Sequence, residues 1–220
     1  MTEINFEQAR FNMIEQQIRP WEVLDQRVLD LLSVVPREDF VPPQYRNLAL
    51  VDMNLPLGHD QIMMSPKLEA RVLQSLDIKP FETVLEIGTG SGYLTALLAK
   101  LAKQVYSIEI IPEFIKSAQV KLADHGITNV SLEEGDAAQG WPLDAPYDVI
   151  VITGSLPLLP EAFKQALNIG GRLFAIIGDS PSMEAVLITR VGEHQWTEEG
   201  LFETDLPALQ NCIQPVRFEL

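Results

Sequence analysis

The feature that most constrains this chain is a short apolar strand that runs directly into a loop with three glycines. The strand is Thr83-Val84-Leu85-Glu86-Ile87, and the loop that follows is Gly88-Thr89-Gly90-Ser91-Gly92. Because glycine lacks a Cβ atom, glycines on alternate positions let a ligand lie against the main chain where a strand turns into a helix. The segment therefore predicts a β-α-β unit with a flat, polar ligand at this turn.

The residues around the glycines favour one class of nucleotide cofactor over another. Dinucleotide-binding loops read G-x-G-x-x-G and hold a pyrophosphate at the helix N-terminus, but Tyr93 occupies the sixth position here. Glu86 would repel a pyrophosphate, and it would attract a cofactor that carries an ammonium and a sulfonium group. The sequence therefore favours S-adenosylmethionine over NAD.

Two further acids follow the next two predicted strands. Glu109 ends the strand after the glycines, and Asp136 follows the third strand. An acid about 20 residues past the glycines can accept hydrogen bonds from both ribose hydroxyls, and Asp136 is placed for the adenine amino group. The alternative is that both acids only cap the helices that follow them.

The remaining pattern predicts a doubly wound, mostly parallel α/β sheet with an N-terminal helical extension. Prolines predict an extended path over residues 36–43 and a loop over residues 55–61. We expect two parts: residues 1–76 pack on the core as the extension, and residues 77–220 form the cofactor-binding domain. Predicted helices span residues 6–17, 23–34, 66–76, 94–102, 112–125 and 160–166, and predicted strands span residues 83–87, 105–108, 130–133, 149–153, 172–177, 185–191 and 216–218.

Composition narrows the possible partners and compartments. A formal net charge of −15 without clusters of Lys and Arg argues against a nucleic-acid partner. The single cysteine excludes an internal disulfide, no uncharged apolar stretch is long enough to cross a bilayer, and the acidic N-terminus is unlike a secretory signal. We therefore expect a cytoplasmic protein. The three histidines lie far apart, so no metal site is expected.

Ordered motifs along the chain give a family resemblance. They are Pro36-Arg37-Glu38-Asp39-Phe40-Val41-Pro42, Leu55-Pro56-Leu57-Gly58, the strand and glycine loop from Val84 to Tyr93, Val105-Tyr106-Ser107-Ile108-Glu109, Gly135-Asp136, Gly140-Trp141, Ala145-Pro146-Tyr147-Asp148 and Gly170-Gly171-Arg172-Leu173. In this order the chain resembles the protein-L-isoaspartate O-methyltransferase family over nearly its whole length. The glycine segment alone would indicate only a Rossmann-like methyltransferase.

The resemblance implies an activity and a set of binding residues. It implies the class I methyltransferase fold, S-adenosylmethionine as cofactor, and repair of damaged proteins by esterification of the α-carboxylate of isoaspartyl residues. Carried over by position, the methionine end of the cofactor is held by Glu86 and by Gly88, Thr89, Gly90, Ser91 and Gly92. The ribose and one face of the adenine are held by Glu109 and Ile110, and the adenine edge by Asp136 and Ala137.

The segment before Pro66 departs from the family pattern. The family typically reads Gly-Gln-Thr-Ile-Ser-Gln-Pro there, and its serine is assigned to the acceptor carboxylate. This chain reads Asp60-Gln61-Ile62-Met63-Met64-Ser65-Pro66, so the threonine and serine positions hold Ile62 and Met64. We call residues 59–65 the acceptor loop, and its candidates are His59, Gln61, Met64 and Ser65. His59 is either a solvated loop residue or a general base, and the expected helix-capping role of Ser65 would occupy its hydroxyl.

Three functions are consistent with these residues. The leading one is isoaspartyl O-methylation, with a protein or peptide as acceptor. The loss of two hydroxyl groups suggests a second, in which the cofactor half is retained and the acceptor half is rebuilt for a less anionic or more apolar substrate. The third is a non-catalytic module that binds S-adenosylmethionine.

Overall fold

The N-terminal part of the chain is helical but more irregular than the sequence pattern predicts. The computed structural model describes residues 4–215, and in it helix α1 spans Phe6–Met13, continues as a π-turn over Ile14–Ile18, and ends in a 3-10 turn over Arg19–Trp21. Helix α2 spans Gln26–Val34. It begins three residues later than predicted because the Asp25 side chain caps it, accepting a hydrogen bond from the Arg27 N–H at 2.9 Å.

The proline-rich segment after α2 is not extended throughout, as the sequence had suggested. Two 3-10 turns, Arg37–Asp39 and Pro43–Leu48, follow Pro36 and Pro42, so most of the segment is helical. Proline has no N–H to satisfy at the start of a helical turn, so each one can precede such a turn.

The predicted loop over residues 55–61 is instead a β-hairpin. Strand β1 spans Leu55–Gly58 and strand β2 spans Gln61–Met63, and the two are antiparallel. His59 and Asp60 join them with φ of 52° and 58°, which is the backbone of a two-residue type I′ turn. Helix α3 then spans Pro66–Leu76, as predicted.

The main sheet has seven strands in the order β5-β4-β3-β6-β7-β8-β9. Its first five strands are parallel, and β8 and β9 add an antiparallel edge. The mostly parallel α/β fold predicted from the sequence is thereby confirmed. The strands span Thr83–Ile87 (β3), Gln104–Glu109 (β4), Val130–Glu134 (β5), Tyr147–Leu156 (β6), Leu167–Asp179 (β7), Ser182–Gly192 (β8) and Gln195–Thr204 (β9).

Helices connect the parallel strands, and two apolar clusters form the core. Helices α4, α5 and α6 span Tyr93–Leu101, Pro112–Asp124 and Glu161–Gln165. One cluster joins α2 and α3 to the sheet through residues such as Leu32, Leu73, Val84 and Phe174. The other cluster, which includes Ile150 and Phe163, is built on β6, β7 and α6. The N-terminal extension therefore shares a core with the sheet.

The two outer strands of the sheet differ in sequence but share acidic side chains. Strand β5 carries Glu133 and Glu134, and β9 carries exposed Glu198, Glu199 and Glu203. Strand β9 is not predicted from the sequence pattern, and the predicted strand over residues 216–218 lies outside the described residues. Between residues 4 and 215, no helix combines the length and apolar character needed to cross a membrane.

Candidate functional site

A crevice opens at the carboxyl ends of the central parallel strands. It encloses about 680 Å³ of space between the ends of β3, β4 and β6, the segment after β5, and residues near the C-terminus. Crevices at the strand ends of an open α/β sheet are the usual ligand sites of such folds. Predicted cofactor residues that line it are Gly88, Gly90, Glu109, Ile110, Asp136 and Ala137.

The glycine loop (residues 88–92) requires glycine for both conformation and space. Gly88 has φ of 96°, and a Cβ atom there would lie 2.3 Å from the Thr153 Oγ1. Thr153 holds this position because its hydroxyl lies within hydrogen-bonding distance of the Ile87 and Gly88 carbonyls, at 2.9 and 2.8 Å. Gly92 has φ of 82° at the N-cap of α4. The main chain of the loop is therefore uncovered toward the crevice wall where Gly88 and Gly90 lie.

Glu109 ties the glycine loop to the end of β4. Its Oε2 accepts a hydrogen bond from the Gly90 N–H at 2.9 Å, and its Oε1 accepts one from the Ile111 N–H at 2.9 Å. Ile111 is the N-cap residue of α5, so part of the helix-capping alternative applies. Each carboxylate oxygen can accept a further bond, and Glu109 lines the crevice.

Asp136 serves no helix, contrary to the capping alternative. Its Oδ1 accepts a hydrogen bond from the Ala138 N–H at 3.0 Å, and residues 137–146 form no helix. Its Oδ2 accepts one from the Asn211 side-chain amide at 2.8 Å. Asp136 thus orders its own turn and holds a segment near the C-terminus beside the crevice.

That segment forms a wall of the site that the sequence pattern does not predict. Pro207, Leu209 and Gln210 line the crevice. Ser155, at the end of β6, donates its N–H to the Pro207 carbonyl at 3.0 Å and accepts from the Leu209 N–H at 2.9 Å. The sequence signal that could have indicated this wall is the position of residues 153–155, at the end of a strand that faces the crevice.

Glu86 lies behind the glycine loop and does not line the crevice. Its side chain is fully buried, and its Oε2 accepts hydrogen bonds from the hydroxyls of Thr95 at 2.5 Å and Ser107 at 2.6 Å. Its Oε1 has no hydrogen-bond partner among the described residues. Burial raises the pKa of Glu86 from 4.5 to about 8, and the nearby Glu109 carboxylate adds to the rise.

The other polar side chains of the glycine loop also turn into the protein. The Thr89 hydroxyl lies 2.6 Å from the Ser107 hydroxyl, and the Ser91 hydroxyl accepts from the Tyr93 N–H at 3.2 Å. Both residues are buried. These bonds fix the shape of the loop, and they leave its main chain as the part available to a ligand.

The acceptor loop packs directly against the glycine loop. Gln61 and Ile62 line the crevice. A second cavity, of about 320 Å³, lies between the two loops, and its walls include Ile62, Met64, Gly88 and Gly90. Met64 is buried. The structure therefore brings the position of the family serine next to the predicted cofactor residues, in a cavity whose walls are both apolar and polar.

Ser65 and His59 lie apart from this cavity. Ser65 lines a separate pocket with Trp21 and Lys67. The expectation that a capping bond occupies its hydroxyl is wrong: Ser65 is the N-cap of α3 but makes no side-chain cap bond, because its own carbonyl accepts from the Leu68 N–H at 3.0 Å. His59 is exposed at the hairpin turn, and its ring packs edge-on against Phe114 at 5.6 Å between centroids.

Comparison with known proteins identifies the family. The family model for protein-L-isoaspartate(D-aspartate) O-methyltransferase matches residues 8–203. A protein named protein-L-isoaspartate O-methyltransferase from Synechococcus sp. is 38% identical over 203 residues, covering 90% of this chain and 83% of that protein. The protein of the same name from Gloeobacter violaceus is 42% identical over 166 residues, covering 76% and 81%.

Solved structures agree on the fold. One structure of a protein-L-isoaspartate O-methyltransferase gives a TM-score of 0.76 at 25% identity over 92% of this chain, and this chain spans 65% of its length. A second structure, from Plasmodium falciparum, is described as a putative enzyme of this kind in complex with S-adenosyl-L-homocysteine. It gives a TM-score of 0.77 at 19% identity, and the match covers 94% of this chain and 99% of that one. The chain belongs to the protein-L-isoaspartate(D-aspartate) O-methyltransferase family.

Proposed function

We propose that this chain is an S-adenosylmethionine-dependent methyltransferase that esterifies the α-carboxylate of isoaspartyl residues in damaged proteins. The observation that carries the proposal is the family match over residues 8–203, within which the glycine loop and the acceptor loop face one cavity. The partner is a protein or peptide acceptor. The proposed compartment is the cytoplasm, on the evidence of a single cysteine.

The residues of the crevice fit the cofactor. A side chain at Gly88 would clash with Thr153, so only glycine permits the loop conformation in which Gly88 and Gly90 face the crevice with bare main chain. Glu109 retains acceptor capacity for the ribose hydroxyls, Ile110 offers an apolar contact, and Asp136 with Ala137 would meet the adenine edge. The unpartnered Oε1 of Glu86 places an acid behind the loop, where a cationic methionine end would lower its pKa.

The chain contributes positioning rather than proton transfer. When bound, S-adenosylmethionine supplies an electrophilic methyl group on a sulfonium. A carboxylate acceptor is already ionised at neutral pH, so no general base is required, and alignment of the two reactants can supply most of the rate enhancement. Ile62 and Met64 would exclude water from the reacting atoms, and the glycine loop and Glu109 would hold the cofactor against them.

Two apolar replacements in the wall of the second cavity favour one alternative acceptor class. Ile62 and Met64 replace the hydroxyl donors of the family pattern, and the cavity walls add Leu57 and Leu94. Loss of one hydrogen bond to a carboxylate costs about 1.5–3 kcal/mol, or roughly 10- to 150-fold in rate. A less anionic acceptor, methylated on oxygen or nitrogen, would avoid that loss.

One labelling experiment separates these possibilities. The protein is incubated with methyl-labelled S-adenosylmethionine and an isoaspartyl peptide, beside the same peptide with a normal aspartyl residue. We expect base-labile label on the isoaspartyl peptide only. Label on a component of a cell extract but on neither peptide would favour another acceptor. Cofactor binding without transfer to either would overturn the catalytic proposal.

A further inference from the structure

Arg37 is a buried arginine that joins three separate segments of the chain. Its side chain is fully buried, and its guanidinium donates hydrogen bonds to the Ala49 carbonyl, to the Met64 carbonyl at 2.5 Å and to the Glu69 carboxylate at 3.0 Å. Ala49 follows a 3-10 turn, Met64 belongs to the acceptor loop, and Glu69 lies in the first turn of α3. The planar guanidinium fork suits such simultaneous bonding, which a lysine ammonium cannot reproduce.

The pair formed by Arg37 and Glu69 lies in the interior, next to the cavity between the two loops. Glu69 is 2% exposed and contributes to the wall of that cavity together with Met64, Gly88 and Gly90. Burial raises the pKa of Glu69 to about 7, while Arg37 opposes the rise. A buried ion pair is weak evidence for a stabilising role, because desolvation offsets much of the attraction. Its location beside the site therefore calls for a different account.

Arg37 also contacts the helix that begins at the glycine loop. Its Cζ lies 5.5 Å from the centroid of the Tyr93 ring, and Tyr93 is the first residue of α4, directly after Gly92. The Tyr93 hydroxyl is buried without a hydrogen-bond partner in the part of the chain that the structure describes. Arg37 thus contacts the acceptor loop by a hydrogen bond and the first residue of α4 by a cation–π contact.

We propose that Arg37 is a positioning residue for methyl transfer, because its bond to the Met64 carbonyl fixes the acceptor loop against the glycine loop. The inference rests on the proposed function. Since a misplacement of about 1 Å can cost about 100-fold in rate, a side chain that fixes the main chain of the acceptor loop can control catalysis without touching the substrate.

The test compares Arg37→Lys with a matched arginine elsewhere. Arg172 also bonds main-chain carbonyls, at Leu76 and Asp77, and a carboxylate, at Glu82, but at the far end of α3. We expect Arg37→Lys to lower kcat and to raise the KM for an isoaspartyl peptide, so that kcat/KM falls about 10-fold or more. The affinity for S-adenosylhomocysteine, measured by calorimetry, should stay within about twofold of wild type. Arg172→Lys should lower the melting temperature without changing the peptide KM.

Hydrogen exchange supplies a readout that does not depend on activity. In Arg37→Lys the amides of residues 61–64 should exchange faster, while those of β3 and β6 are unchanged. Unchanged exchange in the acceptor loop, or equal changes of KM in both arginine variants, would overturn the inference. If wild-type protein methylates no isoaspartyl peptide, the proposed function fails, and the exchange data still decide the role of Arg37.

A second variant covers the case in which Arg37→Lys does not fold. Glu69→Gln removes the charge partner and keeps an oxygen for the Arg37 Nε, so the fold should tolerate it better. We expect the peptide KM to rise and the amides of the acceptor loop to exchange faster, each by about threefold. The reason is that a neutral glutamine holds the Arg37 guanidinium less strongly than a carboxylate does. No change in either quantity would count against Arg37 as a positioning residue.

Discussion

At the scale of single residues, Glu86 is the group whose charge state matters most. Its side chain is fully buried, and one of its oxygens has no hydrogen-bond partner between residues 4 and 215. Its pKa of about 8 lies above the ordinary value of 4.5. The folded state therefore holds this proton at pH values where the unfolded chain has released it. By linkage, the contribution of Glu86 to stability is largest below pH 4.5 and declines as the pH rises to about 8.

We predict that Glu86→Gln gains stability relative to wild type as the pH rises from 5 to 8.5. Glutamine stays neutral, so the variant avoids the cost of a buried carboxylate. The difference in melting temperature, variant minus wild type, should grow by at least about 3 °C, because about 1 kcal/mol moves the midpoint by about 2–4 °C in a chain of this size. Thermal denaturation at a series of pH values measures it. Glu69 titrates in both proteins, so its effect cancels in the difference between them. A difference in melting temperature that stays constant with pH would contradict the raised pKa of Glu86.

Met64 is the residue that tests where the acceptor lies. Met64→Ser restores a hydroxyl beside the glycine loop, and we predict that isoaspartyl turnover rises about 10-fold, the value of one hydrogen bond to a charged group. Loss of a buried methionine side chain should lower the free energy of unfolding by roughly 2–4 kcal/mol, so rates are compared well below the melting temperature. Ser65→Ala, whose side chain faces a different pocket, should leave turnover unchanged. An unchanged rate in Met64→Ser would place the acceptor elsewhere.

At the scale of structural elements, the turn from β3 into α4 sets the shape of the cofactor site. Gly88→Ala and Gly126→Ala both place a side chain at positive φ, at a cost of about 1–2 kcal/mol each. The two positions differ in space: a Cβ atom at Gly88 would lie 2.3 Å from the Thr153 hydroxyl oxygen, whereas a Cβ atom at Gly126 would meet open space. We predict that Gly88→Ala weakens S-adenosylhomocysteine binding at least 10-fold and that Gly126→Ala does not. Calorimetric titration checks both, and equal affinities in the two variants would be the contrary result.

Elements with local signals could be predicted, and those without could not. The Ser65-Pro66 pair predicts the start of α3, and the apolar run before Gly88 predicts β3. The observed bounds of both elements agree with the predicted bounds within a residue or two. The β1–β2 hairpin was missed because its turn is His59-Asp60 rather than a glycine-containing pair. Strand β9 was missed because consecutive glutamates obscure its alternation.

The same distinction applies to the candidate site. Glu109 and Asp136 follow strand ends, a position that the topology fixes, and the structure places both on the crevice. Glu86 also follows from the strand pattern, but only tertiary packing reveals that its side chain points behind the loop. Arg37 and the segment at residues 207–211 come from distant parts of the chain, and no sequence spacing connects them to the glycine loop.

At the scale of the whole molecule, the N-terminal extension and the sheet share one apolar core. Leu32 and Leu73 belong to the same buried cluster as Val84 and Phe174. We propose that residues 1–76 are an extension packed on the domain formed by residues 77–220, and that the domain depends on it. Removal of the extension would uncover one face of the sheet.

We predict that a fragment of residues 77–220 lacks a cooperative thermal transition, while the full chain melts in a single one. Circular dichroism in the near and far ultraviolet measures both, because lost side-chain packing with retained secondary structure marks a molten state. S-adenosylhomocysteine should raise the melting temperature of the full chain only. A fragment that melts cooperatively and binds this ligand would show that the two parts are independent.

The glutamates on the outer strands bear on how copies of the chain meet. A sheet normally invites pairing through the free N–H and C=O groups of its outermost strands. Here β5 and β9 bring Glu133, Glu134, Glu198, Glu199 and Glu203 to both borders. A second molecule joining border to border would set like charges against each other. The excess of acidic residues that argues against a nucleic-acid partner therefore also opposes fibrous self-association of the chain.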